Sequence, residues 1–480
     1  MANISLKKAA LINAASKYTS ILFSIAFSMI LARILTPEDY GIVAVTTVFT
    51  NFFSIFADMG ISAGIIQYKK LTKEDNASIF SLTLAFGLFL GLLFCGFSFF
   101  IADFYRNDVY VPIGFLLGLT LFGSTLNIVP EALLLKDKRF VMLAKRNVII
   151  PFITSLMTIG LAFCGWKYYA LVMQSILSIW ITFAVNFYTT HKDYGLYLYH
   201  GLTGQGIRKI FGYSLYQFLF GFINYFARNL DNLLIGRVWG EAALGYYDKA
   251  YRLMCYPNNS LTHVITPVLQ PILSDYQDDK RYIYEKYVKL LKFLSLVGVF
   301  LSFYCYFSAA DIIAFMFGSQ WTASVPYFEM LALAVWAQLQ LTSTGSIYQS
   351  AGSTKALFIA GLINTVITSI AILLGVFNDS LWEVSRNVMI AFNIEFFCSM
   401  YILIHHCLKQ NYFTFLKYFM PEIILALILC IFGSFIRDYL PNQIILSLIM
   451  RFFVFAVLFI AFCRIFHQFD YLLLLRRKKV

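Results

Sequence analysis

Charge is what this sequence has least of. Only 13% of its 480 residues are Asp, Glu, Lys or Arg, against about 25% in an ordinary soluble domain. That deficit excludes a globular protein with a water-facing surface. The eight cysteines are scattered without a CxxC pair, which excludes a disulfide framework and a thiolate metal site; they read as small hydrophobes inside apolar runs. The six histidines are equally dispersed, and the adjacent His405 and His406 fall on different helix faces. There is no GxxxxGK[ST] loop, no HExxH and no long hydrophilic segment that would house a catalytic domain. No enzyme activity, cofactor or metal is therefore expected.

What is abundant is apolar surface. Hydrophobic residues make up 60% of the chain, with 50 Phe and 31 Tyr, and the mean hydropathy is +0.73. A membrane-crossing helix needs roughly 20 apolar residues. Runs of that length recur near 10–34, 41–67, 78–101, 110–134, 147–164, 168–190, 210–235, 244–272, 290–316, 325–350, 356–377, 386–407, 415–436 and 443–468. They are too long for the alternating strands of a membrane barrel. The expected fold is an all-α integral membrane protein of about 14 transmembrane helices. The first run is interrupted by Asn13, Ser16 and Lys17, and so reads as a membrane helix rather than a cleaved leader.

The few charges are placed by side. With the N-terminus in the cytoplasm, 27 of the 37 Lys and Arg residues fall on the cytoplasmic side and only 6 on the other. This set includes Lys69, Lys70 and Lys73, Lys136 to Arg146, Lys280 to Lys292, and the tail Arg476 to Lys479. The bias alternates loop by loop, as the positive-inside rule requires. It puts both termini in the cytoplasm and makes the net charge of +12 a topological signal rather than a nucleic-acid footprint. The basic tail is also suited to anionic lipid. The stretch 276–292 alternates charged and apolar faces, and either extends a helix into the cytoplasm or lies along the membrane surface.

The chain also repeats itself. "LARILTPEDYGIVA" at 31–44 aligns with "IGRVWGEAALGYYD" at 235–248, matching Arg33 to Arg237 and Gly41 to Gly245. Each arginine closes an apolar run and each glycine follows eight residues later. Six expected spans separate the copies, so both have the same polarity, as in parallel transporter repeats. The expected organisation is two pseudo-symmetric six-helix lobes, 1–204 and 205–410, followed by a helix hairpin and basic cytoplasmic tail over 411–480. Between the first two spans, "TPEDYG" reads as an external turn in which Pro37 stops one helix and Gly41 begins the next, and 240–245 reads as the equivalent turn in the second lobe.

The blocks "ARILTPEDYGIVA" and "FADMGISAGIIQ", with the later "RNLDNLLIGRVWGEAALGYYDKAYRLMCYP", resemble Wzx-type oligosaccharide flippases. These belong to the polysaccharide transporter family of the multidrug/oligosaccharidyl-lipid/polysaccharide exporter superfamily. Similarity is greatest to the branch of colanic-acid and teichuronic-acid exporters. The specific motifs cover about 31–67 and 228–280, and the topology covers the whole chain. The resemblance implies a bacterial inner-membrane protein that turns undecaprenyl-diphosphate-linked oligosaccharide to the outer leaflet for surface polysaccharides such as lipopolysaccharide. It implies two lobes around a cavity and coupling to an ion gradient of H+ or Na+. The partners it implies are the lipid-linked glycan, membrane lipids and the polysaccharide polymerase machinery. A cation-coupled multidrug exporter of the same superfamily is the alternative; a glycan polymerase, lacking its extracytoplasmic loop, is a weaker one.

Ionisable residues at membrane depth are candidates for function. Arg228 and Asp231 lie three apart on one helix face, and Asp248 and Arg252 one turn apart on the next, with Lys249 between them. At 1.5 Å per residue, Arg228 and Arg252 reach a common depth about one-third of the way in. Arg228, Arg252, Lys249 and the inner-end Lys17 are the candidate diphosphate-binding residues, because an arginine fork matches phosphate oxygens. The competing reading pairs the two arginines with Asp231 and Asp248 as helix-to-helix ties, and lets Lys17 snorkel to the interface. Asp58, Asp231 and Asp248 are the candidate ion-coupling carboxylates. Glu329, Glu395, Glu422 and Arg451 read as lone charges.

Overall fold

The computed structural model describes residues 6–68, 71–198, 205–436, 439, 441 and 443–472; within its helices, the side chains of 6–14, 67, most of 205–228, 263–268, 271–272, 470 and 472 are outside the described set. Every regular element among the described residues is helical. In order they are α1 (Leu6–Ile34), α2 (Pro37–Asp58), α3 (Ile61–Gln67), α4 (Lys73–Tyr105), α5 (Tyr110–Lys136), α6 (Phe140–Phe163), α7 (Tyr168–Tyr194), α8 (Gln205–Ser274), α9 (Lys280–Phe307), α10 (Ala309–Phe317), α11 (Val325–Ala332), α12 (Val335–Ser350), α13 (Thr354–Phe377), α14 (Leu381–Tyr401), α15 (Tyr412–Lys417), α16 (Met420–Ile436), α17 (Ile444–Ile465) and α18 (Phe469–Leu472).

Eleven described helical stretches are long and apolar enough to cross a membrane. The other expected spans fall on α8, whose 70 residues are broken at Gly240, and on α11 and α12, which divide the run 325–350. The chain is a multi-pass membrane protein, and the count of 14 holds as an approximation. Helices also run past the expected spans: α7 continues to Tyr194 and α9 begins at Lys280, so the amphipathic stretch after 279 extends a helix.

The chain divides into two compact units, Met1–Gly245 and Tyr246–Val480. In the first, α4 packs along α5 and α5 along α7, while α1 packs on α6. Its core includes Ile65, Phe80, Val129, Ala132 and Leu133. In the second unit, α9 packs on α12 and α13 on α14. The hairpin of α16 and α17 closes on α9 through Leu296, Leu425, Leu429, Phe455 and Phe462. The opposite faces of that hairpin expose Ile423, Leu427, Ile431, Phe435, Phe453 and Val457 at helical spacing, a surface suited to lipid and unsuited to water.

The first repeat turn differs from the sequence expectation. Pro37 does not stop a helix but opens α2 at its first position, where its missing N–H is not needed and its fixed φ fits. Thr36 caps the helix: its hydroxyl accepts from the Asp39 amide at 3.2 Å, and the Asp39 carboxylate accepts from the Thr36 amide at 2.9 Å. This capping box satisfies two otherwise orphaned donors. Gly41 lies inside α2 and is buried. Lys73 to Tyr105 starts with the same device, Thr72 paired with Asp75.

Candidate functional site

The candidate binding and coupling residues fall on α8, on α1 (Lys17) and at the end of α2 (Asp58). After the break at Gly240, α8 carries the adjacent Asp248 and Lys249, with Arg252 one turn further on. The Arg252 Nε donates to Asp248 Oδ2 at 2.7 Å, with the arginine side chain 59% exposed and the aspartate 9%. The carboxylate therefore holds the guanidinium stem against the helix while most of the fork faces outward. Lys249 is buried at 3% exposure. Its ammonium lies 5.0 Å from the Phe317 ring centre and 5.5 Å from that of Trp321, an aromatic cage that offsets part of the desolvation of a cation. Trp321 is itself fully buried against Tyr246 and Phe317. One turn of helix thus presents an outward arginine and an inward lysine.

In the first unit, Asp231 is buried and accepts from the Asn232 amide at 2.8 Å. The Arg228 side chain lies outside the described residues. Asp58 ends α2, immediately before the left-handed Met59 and Gly60, and its Oδ1 accepts from the Ser62 amide at 3.1 Å. It sits at a break within a continuous apolar stretch, Pro37–Ile66. Lys17 is exposed. It is flanked by Ser16 and Ser20, whose hydroxyls donate to the Ala144 and Asn147 carbonyls at 2.9 and 3.2 Å. The pair Arg252–Asp248 is brought together as expected. Among the described residues, no three His, Cys, Asp or Glu side chains converge in a metal-binding group.

Three buried charge clusters lie where the sequence shows only lone or cytoplasmic charges. Arg146, counted among the basic cytoplasmic residues, is 8% exposed. Its guanidinium donates to Glu131 Oε1 at 3.0 Å, Asn186 Oδ1 at 2.9 Å and Asn147 Oδ1 at 2.8 Å. Asn127 closes the ring by donating to Glu131 Oε2 at 2.7 Å and accepting from Asn186 Nδ2 at 2.8 Å. The signal was present as four amide- or acid-bearing residues, Asn127, Glu131, Asn147 and Asn186, in three apolar runs. Lys292, also counted as cytoplasmic, is 12 residues into α9 and pairs with Glu422 at 2.7 Å, with side chains 3% and 4% exposed. Arg451 bonds to Asp311 at 3.3 Å, and Ser447 donates to the same carboxylate at 2.7 Å. Glu422 and Arg451 are therefore not lone charges: they tie α16 and α17 to α9 and α10. Glu395 is also engaged, accepting from the Thr368 hydroxyl.

Residues 30–326 match the family described as Polysaccharide biosynthesis protein. The chain is 24% identical to the lipopolysaccharide biosynthesis protein WzxC of Escherichia coli, over 72% of this chain and 70% of that one. It is 24% identical to the teichuronic acid biosynthesis protein TuaB of Bacillus subtilis, over 64% of each. A membrane protein of the cps region of Klebsiella pneumoniae is 27% identical, over 70% of this chain and 69% of the relative. The resemblance read from the two repeat blocks is thereby borne out. Among solved structures, lipid II flippase MurJ in an inward closed conformation covers 95% of this chain and 99% of its own, with a TM-score of 0.75 at 15% identity. An inward-facing multidrug MATE transporter matches with a TM-score of 0.59 at 16% identity, over 83% and 99%. These likenesses establish a shared helical fold.

Proposed function

We propose that this chain, which belongs to the polysaccharide biosynthesis protein family, translocates a polyprenyl-diphosphate-linked oligosaccharide across the bacterial inner membrane. The observation that carries the reading is the family match over 30–326 on a chain with eleven described helical stretches long and apolar enough to cross a membrane. What such a chain offers is a protected route for a polar headgroup through a medium that penalises every unpaired polar atom. The polyprenyl tail stays in lipid throughout, and no covalent bond changes.

Arg252 is the leading headgroup contact. A diphosphate leaving the interface needs a cation that is fixed and accessible, and the Asp248 bond fixes Arg252 while leaving it 59% exposed. Arg228 and Lys17 complete the proposed diphosphate set. Lys249, buried among aromatic rings, supports the shape of this turn and adds positive potential. Asp58, at a helix break, and Asp231 and Asp248 are the proposed carboxylates for coupling to H+ or Na+; broken helices are where transporters commonly hold such ions. Both termini are assigned to the cytoplasm by the distribution of basic residues. Two six-helix lobes, 1–204 and 205–410, would alternate access, with the hairpin of 411–480 beside them and a polysaccharide polymerase as a downstream partner.

The test is complementation in the strain that carries the gene. Deletion is expected to abolish the surface polysaccharide and leave lipid-linked glycan at the inner face. Arg252→Ala and Arg228→Ala are expected to fail to restore display at normal membrane abundance. Normal display in the deletion strain would refute the translocation reading. Normal display in both arginine variants and the double variant would refute the diphosphate-binding set. Loss of drug resistance with intact polysaccharide would instead support the multidrug-exporter alternative.

A further inference from the structure

One end of the first compact unit, Met1–Gly245, holds a cavity that the translocation reading does not use. It lies where α4 begins and α7 ends. Leu71 before α4, Leu133 of α5 and Leu196 after α7 form its apolar walls, and Lys73, Asn76 and Asp193 supply polar groups. Its volume is about 220 Å³. That is room for about seven waters at ~30 Å³ each. It is smaller than the ~300–1,000 Å³ of a site for a drug-sized ligand, so it suits a lipid headgroup better than a nucleotide or an oligosaccharide.

The depth is that of a bilayer interface. The apolar run of α4 begins near residue 78 and that of α7 ends near 190. Lys73 and Asn76 precede the first run and Asp193 follows the second, by two to five residues, or about 3–8 Å at 1.5 Å per residue. The headgroup layer on each side of a bilayer is about 5–7 Å thick. Leu133 lies inside the apolar run of α5, so the cavity reaches from the headgroup layer to the acyl boundary. Tyr197 and Leu198, directly after the lining Leu196, are 41% and 50% exposed, which leaves apolar surface next to it.

The charges select among headgroups. Asp193 accepts from Arg139 Nη2 at 2.6 Å, and Asp137 and Tyr194 act on the same guanidinium. Lys136 donates instead to the Tyr68 carbonyl at 2.7 Å. Two cations, Lys73 and Arg139, are thus set with two carboxylates, Asp137 and Asp193. A balanced set of this kind gains little from a ligand of one sign, whereas a zwitterion pairs with both halves. Asn76 sharpens the choice. Its side-chain oxygen is buried and has no hydrogen-bond partner among the described residues. Such an acceptor is costly to leave unmet, and only an N–H or O–H completes it. A primary ammonium brings three donors; a trimethylated one brings none.

We propose that this cavity binds the headgroup of a phosphoethanolamine lipid, with the phosphate on Lys73 and Arg139 and the ammonium on Asn76 Oδ1 and Asp193. The bound lipid braces the ends of α4, α5 and α7 at the interface. The site goes beyond the translocation reading and does not depend on it.

The test is native mass spectrometry of the full chain in detergent with phosphatidylethanolamine, phosphatidylcholine or phosphatidylglycerol of identical acyl chains. Phosphatidylethanolamine is expected to be retained at least fivefold more than phosphatidylcholine, which has the same charges but no N–H donor, and more than the anionic phosphatidylglycerol. Asn76→Leu is expected to abolish the preference for phosphatidylethanolamine over phosphatidylcholine at an unchanged gel-filtration profile. Lys73 is exposed, so Lys73→Gln keeps the test open if Asn76→Leu does not fold, and it should lower phosphatidylethanolamine retention at least threefold. Equal retention of the two zwitterionic lipids by the parent, stronger retention of phosphatidylglycerol, or parental behaviour in either variant would overturn the proposal. Soluble glycerophosphoethanolamine separates the two sources of the headgroup. Bound lipid that survives an equal concentration of it supports a lipid site, and displacement would overturn one. No arm reads export, so failure here leaves the translocation reading untouched, and failure of that reading leaves this result standing.

Discussion

Lys292→Met is the perturbation whose size the structure defines best. The ammonium bonds Glu422 Oε2 at 2.7 Å and also donates to the Tyr418 carbonyl. It lies near the Phe419 and Tyr471 rings, at 5.7 and 6.0 Å from their centres. Both charged side chains are nearly inaccessible, at 3% and 4%, and the other carboxylate oxygen, Glu422 Oε1, has no hydrogen-bond partner among the described residues. Removing the lysine leaves a buried carboxylate with no counter-charge, which costs about 3–5 kcal/mol in buried pairs. Unfolded membrane proteins also find polar partners within the bilayer, so about 3 kcal/mol is the working figure. Lys292→Met/Glu422→Leu replaces both charges with apolar groups and is expected to recover most of the loss. A double-mutant cycle measured by unfolding in mixed detergent should therefore show a coupling of about 2 kcal/mol or more. Because α16 and α17 hang on this pair and on Arg451–Asp311, the single variant should also make the C-terminal hairpin the first segment cut by limited proteolysis. A Lys292→Met protein within about 0.5 kcal/mol of the parent, or strictly additive losses, would refute the assignment of a structural ion pair, since surface changes away from such features usually stay within that range.

Gly41→Ala and Gly245→Ala should each lower folded-protein yield sharply, because the added methyl meets backbone that cannot yield, whereas Gly160→Ala and Gly361→Ala, with nothing within 4 Å, should express normally; detergent gel filtration reads both. Arg146→Leu strands Glu131 and Asn186 and is expected to lower the thermal midpoint in detergent, by an amount corresponding to about 2–4 kcal/mol for a broken buried network. Arg281→Ala removes only an exposed i,i+4 pair with Glu285, with side chains 81% and 56% exposed, and should change the same midpoint by no more than the equivalent of about 0.5 kcal/mol. Arg252→Lys keeps the charge but loses the fork, and is expected to give export intermediate between parent and Arg252→Ala in a glycan-display assay.

Hydropathy and side-to-side charge bias are properties of consecutive residues, so the sequence by itself determined the class, the approximate number of spans and the positions of the repeat. It also determined the family resemblance, carried by the blocks around Gly41 and Gly245. The capping signature Thr36–x–x–Asp39 was equally legible; its reading failed because Pro37 was given its helix-stopping role rather than its place at a helix start. Within the charged turn of α8, Asp248–Arg252 followed from spacing alone. Nothing local distinguishes Lys249, turned into an aromatic cage, from Arg252, turned outward.

Pairing between distant helices was decided only by tertiary structure. Lys292 and Glu422 are 130 residues apart, and Arg451 and Asp311 are 140 apart; a charge count assigns Lys292 to a loop, and no periodicity marks any of the four as a partner. Arg146 likewise looks like a topological charge until Asn127, Glu131 and Asn186 close around it. The repeat offset of 204 predicted that Gly41 and Gly245 are equivalent but not that they meet. Equivalence is written in the order of residues; contact depends on how two helix starts cross, and that crossing exists only once the chain has brought Pro37 beside Gly245 and Glu241 beside Gly41.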